Sequence, residues 1–266
     1  MHKIRSENLL PTLAAAALLA FGCGDGGSSS SGPPSPPSPG AVAEADLQAP
    51  IERVEIPIDG SDVSTEASLE RNFYFIFDGS GSMREPPEGE CRGERTFTDK
   101  LEGARWALRE FLAKVPEDVR IGLYVFDLSG QGERVPLGSG NRETLLGEIE
   151  TIRASGGTPL AEAIRYGTDR LVEQYQRQLG YGEFRLVVVT DGIAEDIPEA
   201  ARYATARGMP IYAIGLCIGE EHPLRRYAVS YRAADSFEDL ARGLEETLAE
   251  LPDYDVAEFE TPTREE

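Results

Sequence analysis

Lysine is nearly missing from this 266-residue chain: of its 26 basic residues, 23 are Arg and three are Lys, namely Lys3, Lys100 and Lys114. Set against 47 Asp and Glu, this leaves 26 − 47 = −21 formal charges. A surface so acidic has no cationic footprint for nucleic acid or anionic lipid. A Gly-x4-Gly-Lys phosphate loop is also absent, and no small-molecule substrate is expected. Histidine is limited to His2 and His222, which excludes multi-His zinc sites and leaves His222 as the one imidazole beyond the N-terminal leader. Cysteine occurs at Cys23, Cys91 and Cys217 only. A chain of this length builds its core from apolar side chains and needs neither metal nor disulfide to fold.

The first 22 residues form an address. His2, Lys3 and Arg5 precede an apolar stretch over 9–22 that Pro11 and Thr12 interrupt; it is too short for a membrane-spanning helix and suits an export signal. The stretch ends in Ala20-Phe21-Gly22-Cys23, which resembles the lipobox of bacterial lipoproteins. That resemblance implies a lipidated Cys23 at the mature N-terminus and a lipid anchor in the cell envelope, with cleavage near Gly22 and a free thiol as the alternative. Gly24 after Cys23 points to the outer membrane, with Asp25 weighing against it. From 24 to 40 every residue but Asp25 is Gly, Ser or Pro, a composition that cannot offset its ordering entropy. Residues 23–50 are therefore expected to be a disordered tether.

The folded part follows. Residues 51–70 are an approach segment, with alternation at Val54, Ile56 and Ile58 that allows an edge strand. Buried strands are expected at 73–77, 119–126, 185–192 and 210–218, a short one at 135–137 and a weaker one at 227–231. Helices are expected over 101–115, 142–153, 158–178 (opened by Thr158 with Pro159 at its first position), 198–207 and 236–251. Strands alternating with helices imply an α/β fold: a Rossmann-like, doubly wound, mostly parallel sheet covered on both faces. The domain is assigned to 71–251, and 252–266 is an acidic tail.

In such a sheet the functional loops lie beyond the carboxyl ends of the strands. Three of them carry hard oxygen donors: Asp78-Gly79-Ser80-Gly81-Ser82, Gly156-Gly157-Thr158-Pro159 and Thr190-Asp191-Gly192. Two carboxylates and three hydroxyls, with no His or Cys, form a donor set for a small hard cation.

On these residues the chain resembles a von Willebrand factor type A (VWA) domain with a complete metal ion-dependent adhesion site. The family's Asp-x-Ser-x-Ser, distant Thr and distant Asp are met by Asp78, Ser80, Ser82, Thr158 and Asp191, within FYFIFDGSGSM, Gly-Gly-Thr-Pro-Leu and LVVVTDG. The resemblance implies that Ser80, Ser82 and Thr158 contact a divalent ion, with Asp78 and Asp191 bound directly or through water. Magnesium is the default ion, with manganese or calcium as alternatives. It further implies a non-catalytic adhesion or scaffolding module whose metal is completed by an exposed Asp or Glu of a protein partner.

Residues 84–97 lengthen the loop beside the site. Cys91 lies in that loop and Cys217 at the end of the fourth buried strand. With Cys23 lipidated they are the remaining pair in an oxidising compartment, so a Cys91–Cys217 bridge is favoured over two independent thiols. Two other functions compete: a hydrolase with Ser80 or Ser82 as nucleophile and His222 as base, although neither serine sits in Gly-x-Ser-x-Gly, and an architectural lipoprotein whose metal only rigidifies the loops.

Overall fold

The computed structural model describes residues 50–58, 69–192, 194, 196–218 and 222–248. The leader, Cys23, the tether as far as residue 49, part of the approach segment (59–68) and the acidic tail lie outside them. Among the described residues no helix is long and apolar enough to cross a membrane.

Six strands form one sheet in the order β3-β2-β1-β4-β5-β6: β1 (Arg71–Asp78), β2 (Arg120–Asp127), β3 (Gly130–Gly138), β4 (Glu183–Thr190), β5 (Ile211–Leu216) and β6 (Ser230–Ala234). All neighbours are parallel except β2 and β3, which form an antiparallel hairpin at one edge. Among the described residues five helices cover the sheet: α1 (Lys100–Leu112), α2 (Arg142–Thr151), α3 (Leu160–Arg177), α4 (Ile197–Ala206) and α5 (Phe237–Glu246).

The period-2 geometry of β1 divides the core. Phe73, Phe75 and Phe77 point to one face, where they meet Leu108 and Phe111 of α1, Leu145 of α2 and Leu240 of α5. Tyr74 and Ile76 point to the other, against Ile164 and Leu171 of α3 and Ala200 and Ala204 of α4. A strand buried on both faces has to be apolar at every position, which is why its sequence runs without alternation. On the first face α1 and α5 approach closely: a Cβ on Gly103 would fall 2.3 Å from the Phe237 ring.

Several local boundaries differ from expectation. The short strand at 135–137 is the end of a nine-residue β3. The strand sought at 227–231 lies at Ser230–Ala234, because Pro223–Arg226 forms a 3-10 turn first. Residues 50–58 do not join the sheet; Val54 instead donates its N–H to Ala206 O at the end of α4. Thr158 does not cap α3. The position before a proline is driven away from helical geometry, and Pro159, at φ −76° and ψ 51°, is itself the residue preceding the helix, with no side-chain cap.

The chain leaves β1 towards β2 on one side and reaches β4 on the other, so the strand order reverses between β1 and β4. A crevice at the carboxyl ends of these two strands follows from that topology.

Candidate functional site

Asp78 ends β1 and Asp191 follows β4, so the sheet itself sets the two carboxylates side by side. Between them the chain has to turn without a side chain. A Cβ on Gly79 would lie 2.8 Å from Phe126 O and 2.9 Å from both the Asp127 and Ile152 side chains. The turn is pinned by Gly79 N–H donating to Phe126 O at 2.9 Å and by Ser155 N–H donating to Gly79 O at 2.9 Å. Gly81 N–H donates to Gly156 O at 3.0 Å, which draws in the third loop. Thr158 arrives with it, its Oγ1 3.2 Å from where a Cβ on Gly192 would stand. The five residues named from sequence thus gather at one strand-end cluster.

Asp78 is fully buried and its charge is met by neutral donors. Ser80 N–H reaches Oδ1 at 2.8 Å and Thr190 Oγ–H reaches Oδ2 at 2.6 Å. Burial raises its pKa above the usual carboxylate range, against the pull of these hydrogen bonds, and nearby Asp191 adds to the rise.

Asp191 is held differently. Ser82 Oγ–H donates to its Oδ1 at 2.7 Å, and the Lys100 ammonium donates to its Oδ2 at 3.0 Å. Because the Ser82 hydrogen is taken by Asp191, Ser80 is the donor in the 3.0 Å contact between the two serine hydroxyls. Lys100 also reaches Glu85 Oε2 at 3.2 Å, and its backbone N–H donates to Glu85 O at 3.1 Å. Its side chain is 13% exposed and that of Asp191 0%. Burial pulls the ammonium down, but Asp191 and Glu85 outweigh it and leave its pKa raised.

This arrangement corrects the expectation of a complete metal ion-dependent adhesion site at Asp78, Ser80, Ser82, Thr158 and Asp191. Among the described residues no group of three or more His, Cys, Asp or Glu is placed to hold a metal ion. The two carboxylates that do converge are already engaged, Asp78 by neutral donors and Asp191 by an ammonium and a hydroxyl. Among the described residues no site is therefore found for magnesium, manganese or calcium, whether as a cofactor or as a structural metal. Recognition of a partner Asp or Glu through such a metal falls with it.

Lys100 is the residue that sequence reasoning missed. A signal was there: it stands at the first position of α1, just after the N-cap Asp99, where the positive end of the helix dipole disfavours a cation. A local preference broken in this way marks a side chain placed for something other than its helix.

His222 sits behind the cluster rather than in it. Leu224 N–H donates to Nδ1 at 3.2 Å, so the proton is on Nε2, which donates to Gly192 O at 3.1 Å. The ring also stacks on Tyr231 at 5.8 Å. Burial lowers its pKa, partly opposed by the bond to Gly192. Both ring nitrogens are thereby committed to the backbone. Among the described residues Ser82 bonds to Asp191 rather than to His222, so these two do not form the nucleophile–base pair of a serine hydrolase.

Next to the cluster lies a cleft of about 690 Å³, lined by Glu85, Pro86, Glu88, Lys100, Asp235 and the Cys91–Cys217 disulfide. The disulfide joins the 3-10 turn Gly89–Arg92 to the end of β5 and so fixes the cleft's outer wall.

The sequence profile of the von Willebrand factor type A domain matches residues 72–242. No match to a curated protein was found. Among solved structures, a mutant of the PilB minor pilin from Streptococcus sanguinis is 15% identical, with a TM-score of 0.51 over 69% of this chain and 62% of that one. A von Willebrand factor type A protein from Catenulispora acidiphila is 16% identical, with a TM-score of 0.48 over 67% of this chain and 42% of that one. An aerotolerance-related membrane protein from Bacteroides fragilis is 18% identical, with a TM-score of 0.41 over 54% and 66%. The chain therefore spans less than two thirds of each of these structures, and identities this low speak to the fold alone.

Proposed function

The chain belongs to the von Willebrand factor type A domain family, and we propose that it is a non-catalytic scaffolding module of the cell envelope that binds a protein partner across its strand-end face. Members of this family are typically adhesion or scaffolding modules without catalytic activity. The observation that carries the reading is the cleft of about 690 Å³ beside the buried polar cluster, at the sheet's crevice. Its rim holds Glu85, Glu88 and Asp235, and the whole chain carries −21 charges. A neutral or basic partner surface complements that field. Lipidated Cys23 and the tether to residue 50 hold the module at the membrane, with about 30 Å of reach for a flexible chain of that length.

Crosslinking in intact envelopes tests the reading. The wild type is expected to capture the same partner in EDTA and in magnesium, and the charge-reversed Glu88→Arg/Asp235→Arg variant to lose it. Capture unchanged in that variant would place recognition elsewhere on the surface, and turnover of generic esters would end the non-catalytic assignment. Cys23→Ala is expected to move the protein to the soluble fraction; retention at the membrane without acyl mass would refute the anchor.

A further inference from the structure

The disagreement between the donor set and the charges that meet it has a consequence of its own. Two carboxylates are buried within one cluster, and one of them is met by a full positive charge from 91 residues away in the sequence. We infer that Lys100 is a resident cation of the strand-end site: a counter-ion fastened to the chain that orders the loops without any exchangeable ion.

Three features point the same way. The side chain of Asp191 is 0% exposed, and a buried carboxylate requires a charge or several donors close by. Lys100 provides that charge from a fixed backbone. Asp99 caps α1 by accepting the Glu102 N–H at 2.8 Å, and Lys100 N–H is tied to Glu85 O. The effect also reaches beyond the ion pair. The ammonium engages Oδ2 of Asp191, Ser82 engages Oδ1, and Ser80 donates to Ser82, so one charge orders both the loop after β4 and the loop after β1. A cation placed at a helix N-terminus weakens that helix. The position is explained by Asp191 and Glu85 rather than by α1.

Amide hydrogen exchange on the whole chain, with no partner present, provides the test and keeps it separate from the scaffolding reading. In the wild type, exchange over 78–82 and 190–192 is expected to be the same in magnesium and in EDTA. Lys100→Ala is expected to speed exchange in both loops by about tenfold or more. Ethylammonium, a free copy of the lost side-chain end, is expected to reverse the effect where sodium chloride of equal ionic strength does not. Wild-type loops that tighten in magnesium would overturn the inference, as would exchange in the variant that is unaltered or deaf to ethylammonium. Should Lys100→Ala fail to fold, Lys100→Met/Asp191→Asn decides. With both charges gone it is expected to fold and to ignore ethylammonium; if it too is unfolded, the pair is packing alone and the inference fails.

Discussion

Asp78 and Asp191 enter one cluster from adjacent strands, yet their supports are opposite in kind. Asp78 is steadied by dipoles: an N–H two residues on and a threonine hydroxyl from the neighbouring strand end. Asp191 is steadied by an ion and a hydroxyl, delivered by the start of α1 and the loop after β1. Neutral support is compatible with either protonation state of Asp78, whose raised pKa already leans towards the proton. Ionic support makes the Asp191 half of the site depend on one distant side chain. Two carboxylates of similar burial therefore differ in what each can lose.

The largest effect is expected on the ionic side. Lys100→Met strands a buried carboxylate with one hydroxyl for company. A cost of about 3–5 kcal/mol is expected for breaking a buried pair in this way, read as a lower midpoint in urea unfolding. A loss well under 1 kcal/mol would show that water already screens Asp191 and would erase the contrast between the two halves.

A smaller effect is expected on the neutral side. Asp78→Asn keeps the shape, leaves an oxygen for Ser80 N–H and offers an amide to Thr190, whose hydroxyl can also accept. Its cost at neutral pH is expected to stay below about 1 kcal/mol. The pH dependence sharpens the point. With the folded pKa above its ordinary 3.8, the folded state keeps a proton that the unfolded chain has released. Asp78 thus favours folding below that pKa and loses the contribution as pH rises through it. The Asn variant should gain on the wild type as pH climbs from about 4 towards neutrality.

A change absent at neutral pH and seen only in acid concerns His222, behind both halves. Its folded pKa is below the ordinary 6.5, so at mildly acid pH the unfolded chain binds a proton that the folded chain does not. Its contribution is complete above the unfolded value and is lost as pH falls below it, at up to about 1.4 kcal/mol per pH unit. His222→Phe preserves the stack on Tyr231 and removes the titration. Melting curves between pH 7.5 and 5, about the range in which an ordinary histidine titrates, should show a shallower acid slope in this variant. An unchanged slope would assign the acid sensitivity to other groups.

What was legible in the sequence followed the reach of each signal. The strand at 73–77 was evident because burial on both faces demands an unbroken apolar run, and Asp78, Ser80, Ser82 and Asp191 because they stand at the ends of β1 and β4; Thr158, in the loop between α2 and α3, is drawn to them by the Gly81–Gly156 bond. Their spacing said that they would meet; it did not say what charge would meet them. Lys100 answers that, and nothing within a few residues of it names Asp191. The ion pair is a product of packing α1 beside the ends of β1 and β4. β3 was underestimated for a local reason: GQGERVPLG carries three of its glycines and Pro136 in nine residues, weak strand material tolerated at an edge. Thr158 was taken for a helix cap because Thr-Pro is sound cap chemistry, but its side chain faces Gly192 instead.

The bridge between Cys91 and Cys217 also determines how the domain would respond to mechanical load. Its cysteines are 126 positions apart and enclose β2, β3, β4, β5 and α1 to α4. A pull applied at the two ends of the chain bypasses all of these elements, because tension crosses from one cysteine to the other through a single covalent bond. About 430 Å of contour is withheld from extension, at roughly 3.4 Å per residue. Only β1, β6, α5 and the outer segments remain to be paid out. Pulled by its two chain ends, the module would stretch briefly and then stop, with β2 to β5 never extended.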